Sequence, residues 1–516
     1  MNNKTGLSEK EISKIYKIHK YWSRKPWKPI ANCIKKFSKE EDLVVDLFLG
    51  SGVTCLESIN QNRNFIGYDL NPMAIFISEN TINQNFDKEK FIRELDIIKR
   101  KLEVFFRNLY SAKDICSKCR ANLIIDHLNI GPKYKNKEEG IFFCENCGKK
   151  ETLLKRKLNK TDIKKIEMAY KITKWIPKTE FPKKFYKDRF SYKGIKKVTD
   201  FYTKRNVYAL SELLHAIKNS NLKYKDLFLI AFSNTLLHAS RLKSENVRPL
   251  NVNNYWMPDD YMEENVWLRF LERLNLVLNS KIYLKERLAS TKSIGKYKLY
   301  NQSSLKTNLK DGKVDYIITD PPYGDTIQYS ELSFIWNSWL ENNFPTEEEI
   351  IINPVQKKGV SEYINLLELS IIEIKRILKK GGKITFCFHN KDMTIWKEVL
   401  NLFKKYNFNL EDVEVFNTLK NSYNNNWAEF SPKSDVYITF ENSPIKKAKN
   451  TKQIPFVELI NLELKDNSKK RASQVYDSVV SNFIKTSYSE DTPNEDIEVN
   501  IKKLNEIMGA LKNGNR

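Results

Sequence analysis

No run of 18 or more apolar residues occurs in the chain, which excludes a helical membrane span. The first twenty residues are polar and charged, and nothing in them resembles a secretory signal. Acidic residues are few beside the basic ones: 64 Asp and Glu stand against 88 Lys and Arg, giving a formal charge of +24 and a pI near 9.4. Genome bias towards Lys, Asn and Ile explains some of the lysines but not the imbalance. An excess of this size favours an anionic partner, nucleic acid first. Cysteine is sparse and odd in number at seven, which argues against a disulfide framework; four of the seven fall in close pairs, as in a metal site of a reduced, cytoplasmic protein. No internal repeat is present. What the chain does have is 41% apolar residues over 516 positions, enough for a sizeable core and for two or three units.

The most informative stretch is Val314-Asp-Tyr-Ile-Ile-Thr-Asp-Pro-Pro-Tyr-Gly324. Tyr316 to Thr319 predicts a strand buried on both faces. Pro321 and Pro322 end it, because neither offers an N–H to a neighbouring strand. A carboxylate (Asp320), a stiff carbonyl-bearing turn and an aromatic ring (Tyr323) are thereby held at a strand's carboxyl end, where open parallel sheets bind ligands. These groups suit activation of an amine on a flat ring. Asp320 and the Pro321 carbonyl can each accept one N–H, and Tyr323 can stack on the ring. An ordinary β-turn closing a strand has the same composition.

Upstream, Lys28 to Phe37 is helix-like and Leu43 to Asp46 is a short buried strand. It runs into Leu47-Phe48-Leu49-Gly50-Ser51-Gly52-Val53-Thr54 and a helical pattern from Cys55 to Gln61. Strand, glycine turn and helix together let backbone approach a ligand closely. Phe65 to Asp69 is a second strand ending in an acid, about twenty residues after the glycines, a spacing that suits a carboxylate gripping ribose hydroxyls.

With these pieces on one chain, the sequence resembles the amino-group DNA methyltransferases that use S-adenosylmethionine. Asp46-Leu-Phe-Leu-Gly-Ser-Gly52 is similar to their D-P-F-x-G-x-G cofactor motif, with Leu47 in place of proline. Asp320 to Tyr323 matches their catalytic motif, and His19 to Pro26 resembles the segment they place beside the cofactor's methionine end. Tyr329-Ser-Glu-Leu-Ser333, Arg376 to Lys383, Phe386-Cys-Phe-His389 and Trp396 extend the likeness to adenine-specific DNA methylases that carry a zinc ribbon; Tyr300 to Ser304 stands where those often have an acid. The resemblance implies a doubly wound, Rossmann-like α/β sheet. It also implies a catalytic set of Asp320, Pro321, Pro322 and Tyr323, and a cofactor set of Lys25, Asp46, Phe48, Gly50, Ser51, Gly52, Thr54, Asp69 and Asn71. The implied reaction is methylation of adenine N6 in double-stranded DNA, in a restriction or defence setting that can include a protein partner. Cytosine N4, guanine N2 of RNA, or a non-catalytic nucleic-acid binder are the alternatives. Cys33, Cys55 and Cys387 are read as packing residues.

More than 200 residues separate Asp69 from the strand before Asp320, and much of that stretch reads as insertion. Cys116-Ser-Lys-Cys119 and Cys144-Glu-Asn-Cys-Gly148, 24 residues apart, have the spacing of a four-thiolate zinc ribbon with a structural ion. His127 between them reads as a loop residue. Lys164 to Arg205 carries 14 Lys/Arg, 4 Asp/Glu and nine aromatic residues, a composition suited to phosphates and splayed bases. Asn206 to Arg241 and Glu263 to Leu288 are helical, with Lys243 to Asp260 as a loop. Tyr329, Phe334, Trp336 and Trp339 suit either a base pocket or internal packing. Further on come a helix over Ile364 to Leu378, a strand over Lys383 to Phe388 and a helix over Trp396 to Tyr406. A closing pair of strands, Val413 to Phe416 and Val436 to Phe440, flanks a loop at Asn421 to Trp427. The expected organisation is residues 1–82 and 298–442 as the two parts of a methyltransferase domain. Between them lies a recognition insert at 83–297, with its ribbon at about 112–152, and a charged helical appendage follows at 443–516.

Overall fold

The computed structural model describes residues 7–132, 138–182, 185–186, 194–245, 249–250, 255, 257–390, 392–417 and 434–445, with positions 481, 484, 485 and 488. The loop expected at Asn421 to Trp427 lies outside the described residues. So do most of the tail and parts of the basic stretch and of the 243–260 loop. In chain order the strands are β1 (Leu43–Asp46), β2 (Asn64–Asp69), β3 (Ser111–Ile115), β4 (Asn122–Ile130), β5 (Glu139–Phe143), β6 (Leu154–Lys157), β7 (Tyr261–Glu264), β8 (Tyr297–Asn301), β9 (Val314–Thr319), β10 (Leu378–Phe388), β11 (Asn409–Asn417) and β12 (Ser434–Glu441). The helices are α1 (Glu9–Ile15), α2 (Trp27–Phe37), α3 (Val53–Ile59), α4 (Pro72–Ile82), α5 (Lys88–Tyr110), α6 (Lys149–Thr152), α7 (Lys160–Glu167), α8 (Lys204–Lys218), α9 (Lys225–Leu236), α10 (Val266–Ala289), α11 (Tyr329–Leu332), α12 (Phe334–Leu340), α13 (Val360–Ile377) and α14 (Met393–Lys405). They form two compact units, each drawn from three separate parts of the chain.

One unit, 23–70 with 291–327 and 345–516, is built on a seven-stranded sheet of order β11-β12-β10-β9-β1-β2-β8. Only β12 runs against the rest, pairing antiparallel with β10 and β11. The strand order reverses between β1 and β9, which pair parallel through Val44–Tyr316 and Val45–Ile317. In an open α/β sheet such a switch point leaves a crevice at the carboxyl ends of the two strands. This is the Rossmann-like arrangement expected. The apolar run of β9 is central and buried as predicted, and α13 covers the sheet with Tyr363, Leu367, Ile371, Ile374 and Ile377 at helical spacing. The chain leaves α13 at Ile377, and the register of β10 against β9 slips between Leu378 and Lys383, where the two glycines fall. Ile484 and Tyr488, from the stretch expected to be an appendage, are buried in this same core.

The other unit, 1–22 with 71–290 and 328–344, holds an antiparallel sheet of order β3-β4-β5-β6, with β7 pairing the 127–130 half of β4. His127 is therefore not in a loop: it lies in β4, paired with Ile141 and Glu264, and its Nδ1 is 2.7 Å from Asp126. Helix α10 starts later than expected, because Glu263 and Glu264 complete β7 and Asn265 caps the helix by accepting the Trp267 N–H. Glu263 and Arg205 form a fully buried ion pair, with the Thr203 hydroxyl also donating to Glu263 at 2.7 Å. Trp336 and Trp339 are fully buried, so packing is their role in this fold. Among the described residues no helix is long and apolar enough to cross a membrane.

Candidate active site

Because β1, β2 and β9 are parallel neighbours, their carboxyl ends lie along one edge of the sheet, and that edge gathers Asp46, Asp69 and Asp320. Asp46 is buried. Its Oδ1 accepts the Phe48 N–H at 3.0 Å and the Thr319 hydroxyl at 2.7 Å, while Thr319 Oγ1 accepts the Leu47 N–H at 3.2 Å. These bonds tie the end of β1 to the residue before Asp320. Burial pushes the Asp46 carboxyl up to about 6, against the lowering effect of the Thr319, Phe48 and Thr54 hydrogen bonds.

The turn that follows requires glycine. Gly50 has φ 56° and Gly52 φ 77°, both left-handed, and Gly52 is the N-cap of α3. The Gly50 N–H donates to Asp69 Oδ2 at 2.8 Å, so the second strand's acid braces the turn of the first. Ser51 Oγ accepts from Arg24 at 3.1 Å, and Asn301 of β8 closes the end of β2 through the Asp69 carbonyl at 2.9 Å. Asn71 takes a different place: it caps α4, accepting the Met73 N–H at 3.1 Å, in the other unit.

Asp320 follows β9 directly, and the proline turn is fixed by Tyr363, whose hydroxyl donates to the Pro322 carbonyl at 2.8 Å. The Tyr323 ring is turned inward and buried, edge-on to Phe388 at 5.3 Å, and its hydroxyl donates to Asp320 Oδ1. Lys25, read from sequence as a cofactor contact, points instead at the proline turn. Its ammonium lies 2.5 Å from the Tyr323 hydroxyl, 2.7 Å from Asp435 Oδ1 and 3.5 Å from Asp320 Oδ1, and 4.9 Å from the Tyr323 ring centre. Burial pushes Asp320 up to about 7; Lys25 and the Tyr323 hydrogen bond oppose the rise, and Asp435 and Asp46 add to it. Burial alone would lower Lys25, but Asp320 and Asp435 more than offset it, so the lysine is a firmly held cation.

Asp435 was not legible as a site residue. It stands at the start of β12, and acids at strand starts ordinarily face away from a parallel sheet's ligand edge. Only the reversed direction of β12 brings its first residues to the carboxyl edge of β10 and β9.

The four paired cysteines do converge. Cys116 and Cys147 sulfurs are 3.9 Å apart, Cys119 and Cys144 sulfurs 3.4 Å, and all four lie within 4.8 Å of one another. Disulfides need S–S near 2.05 Å, whereas a tetrahedral Zn–thiolate centre with bonds of about 2.3 Å sets sulfurs about 3.8 Å apart. The knuckle N–H of Cys119 helps bring the Cys116 thiol down to about 7. Cys33, Cys55 and Cys387 are buried.

The type II methyltransferase M.MjaII of Methanocaldococcus jannaschii is 24% identical over 425 residues, 76% of this chain and 75% of that protein. The type II methyltransferase M.MvaI of Kocuria varians is 28% identical over 165 residues, 29% of this chain and 35% of that one. A solved geranyl diphosphate methyltransferase, in complex with GPP and sinefungin, aligns with 29% of this chain and 53% of its own at 10% identity and a TM-score of 0.17, too slight a likeness to bear on the fold. The DNA methylase family profile matches residues 2–80 and 314–505, just over half of the sequence, on either side of the unmatched stretch 81–313. The chain belongs to the N6/N4 DNA methylase family.

Proposed function

We propose that this methylase acts on adenine N6 in double-stranded DNA, with Asp320, Pro321, Pro322 and Tyr323 at the reacting amine. The observation that carries the reading is the junction of β1 and β9, where hydrogen bonds through Asp46 and Thr319 join the glycine turn to the strand that ends in Asp320. A cofactor held by one strand end and an amine held by the next are thereby neighbours. S-adenosylmethionine, when bound, would supply a sulfonium methyl to the amine nitrogen, with sulfur keeping the bonding pair and one amine proton leaving with or after transfer. The residues present fit it: Gly50 and Gly52, without side chains, flank Ser51 in a tight bend braced by the Asp69 carboxylate, with Phe48 and Thr54 in the same stretch.

In this reading Asp320 and the Pro321 carbonyl each accept one N–H of the amine. That draws the nitrogen lone pair out of conjugation with the ring and aims it at the methyl group. The amine must first leave the base stack, at a cost of a few kcal/mol. Stacking on Tyr323 requires its hydroxyl to release Asp320, so docking the base exchanges an internal hydrogen bond for one from substrate. Positioning and hydrogen-bond polarisation, rather than acid–base strength, supply the acceleration. No cysteine adduct is needed.

The insert, residues 83–297, is assigned to target recognition, with its basic stretch against phosphates and a structural zinc in the Cys116, Cys119, Cys144 and Cys147 cluster. Four thiolates leave that ion no open position for chemistry. Residues 1–82 and 298–442 carry the reaction. The likeness to two type II methyltransferases supports a restriction-modification setting for the reaction.

The test is transfer of tritiated methyl to unmethylated duplex DNA and to tRNA, with the modified nucleoside identified by mass spectrometry and Asp320→Ala as control. N6-methyladenine in DNA, lost in the variant, is the expected result. N4-methylcytosine would reassign the base, and transfer to tRNA alone would remove the DNA reading.

A further inference from the structure

We propose that Lys25, anchored by Asp435, is a positioning residue that keeps the Asp320 carboxylate charged and therefore able to accept hydrogen bonds from the target amine. The inference rests on the amine-activating role given to Asp320 above and adds what that role requires. A protonated Asp320 would offer the amine a donor where an acceptor is needed. Burial and the neighbouring acids push Asp320 towards that protonated form; the Tyr323 hydroxyl opposes them only while it donates to Asp320, and Lys25 opposes them throughout. Asp46 of β1 and Asp435 of β12 are acids, and Cys387 of β10, Tyr437 of β12 and Tyr323 of the same turn are uncharged groups whose own ionisation burial opposes. His389 stands 6.1 Å from the Tyr323 ring, on the side of β10. Against these, one ammonium serves two carboxylates.

The geometry favours a fixed ammonium over a passing surface contact. The Lys25 side chain is only 9% exposed, and its shortest contacts are to Asp435 and the Tyr323 hydroxyl, which leave it 3.5 Å from Asp320. At that distance it stabilises charge on Asp320 without capping the oxygen as a short hydrogen bond would. Asp435 is what makes this distance stable, since a lysine without a second anchor would settle directly on Asp320. The Pro26 ring, immediately before α2, further restricts the backbone that carries Lys25.

The experiment is the pH dependence of single-turnover methyl transfer for the wild type, Lys25→Gln, Lys25→Arg and Asp435→Asn, with Asp320→Asn as the control for the underlying role. Lys25→Gln is expected to move the acidic limb at least about one pH unit towards alkali, a loss of roughly fivefold or more at pH 7 that is largely recovered by pH 9. Lys25→Arg restores most of the limb. Asp435→Asn lowers the rate without an alkaline shift, because the cation is kept and a like charge is removed. A uniform loss in Lys25→Gln with the limb unmoved, or the same shift in all three variants, would overturn the proposal while leaving the role of Asp320 standing. Full activity of Asp320→Asn would instead remove that role. Should Lys25→Gln be inactive at every pH, isotope-edited infrared titration of the carboxyl band missing from Asp320→Asn reads the same shift without turnover. An unshifted band would overturn the proposal.

Discussion

Asp46 and Asp320 end adjacent strands, and both hold their protons well above the ordinary carboxylate range, to about 6 and about 7. Burial is the main cause in each case, although 22% of the Asp320 side chain still meets water, which tempers the penalty. An acid raised in the folded state keeps a proton that the unfolded chain has already released. Its contribution to stability therefore falls as pH rises from about 4 through the folded value, and is level above it. Asp320→Asn removes this dependence while keeping an acceptor for the Tyr323 hydroxyl. Thermal unfolding should show the variant gaining on the wild type between pH 4 and 8; a gap constant with pH would show that Asp320 is not raised. The string Asp320-Pro-Pro-Tyr323 announced itself in sequence because two prolines must end a strand. The inward turn of Tyr323 did not, since a hydroxyl's partner is chosen by packing.

At the scale of elements, the glycine turn and the cysteine cluster each hang on local chemistry. Gly52 at φ 77° caps α3, and a Cβ there meets the left-handed penalty of about 1–2 kcal/mol. Gly52→Ala is expected to lose that much in urea unfolding and to weaken cofactor binding by calorimetry; Gly52→Asn should lose less, because asparagine visits this region. Equal stability of all three would mean that the turn is not held as described. In the other unit, β3 and β5 deliver Cys116 and Cys144 as the first residue of each knuckle. Metal analysis after dialysis should find about one zinc per chain in the wild type and near none in Cys119→Ser, with the ribbon melting earlier. A metal-free wild type that unfolds unchanged would refute the site. These elements were readable because each is a short-range pattern: C-x-x-C needs four residues, G-x-G three. His127 was misread as loop because its strand alternates poorly, and only pairing with β5 and β7 defines it.

For the molecule as a whole, the excess of basic residues predicts binding of nucleic acid dominated by phosphate contacts. Anisotropy titrations on duplex DNA should give an affinity that falls roughly 10³-fold or more between 50 and 200 mM salt, as for six or more neutralised phosphates. A shallow dependence would locate the positive charge away from DNA. By itself the sequence determined the buried strand before Asp320, the glycine bend, the paired thiols and the charge, because each follows from the intrinsic limits of proline, glycine, cysteine and lysine within a few positions. Tertiary structure alone decided that Lys25 faces Asp320, that Asp435 anchors it, and that Asn71 belongs to the other unit. Those pairings depend on the direction of β12 and on which strands become neighbours, and sheet order is set by long-range packing that no local pattern encodes.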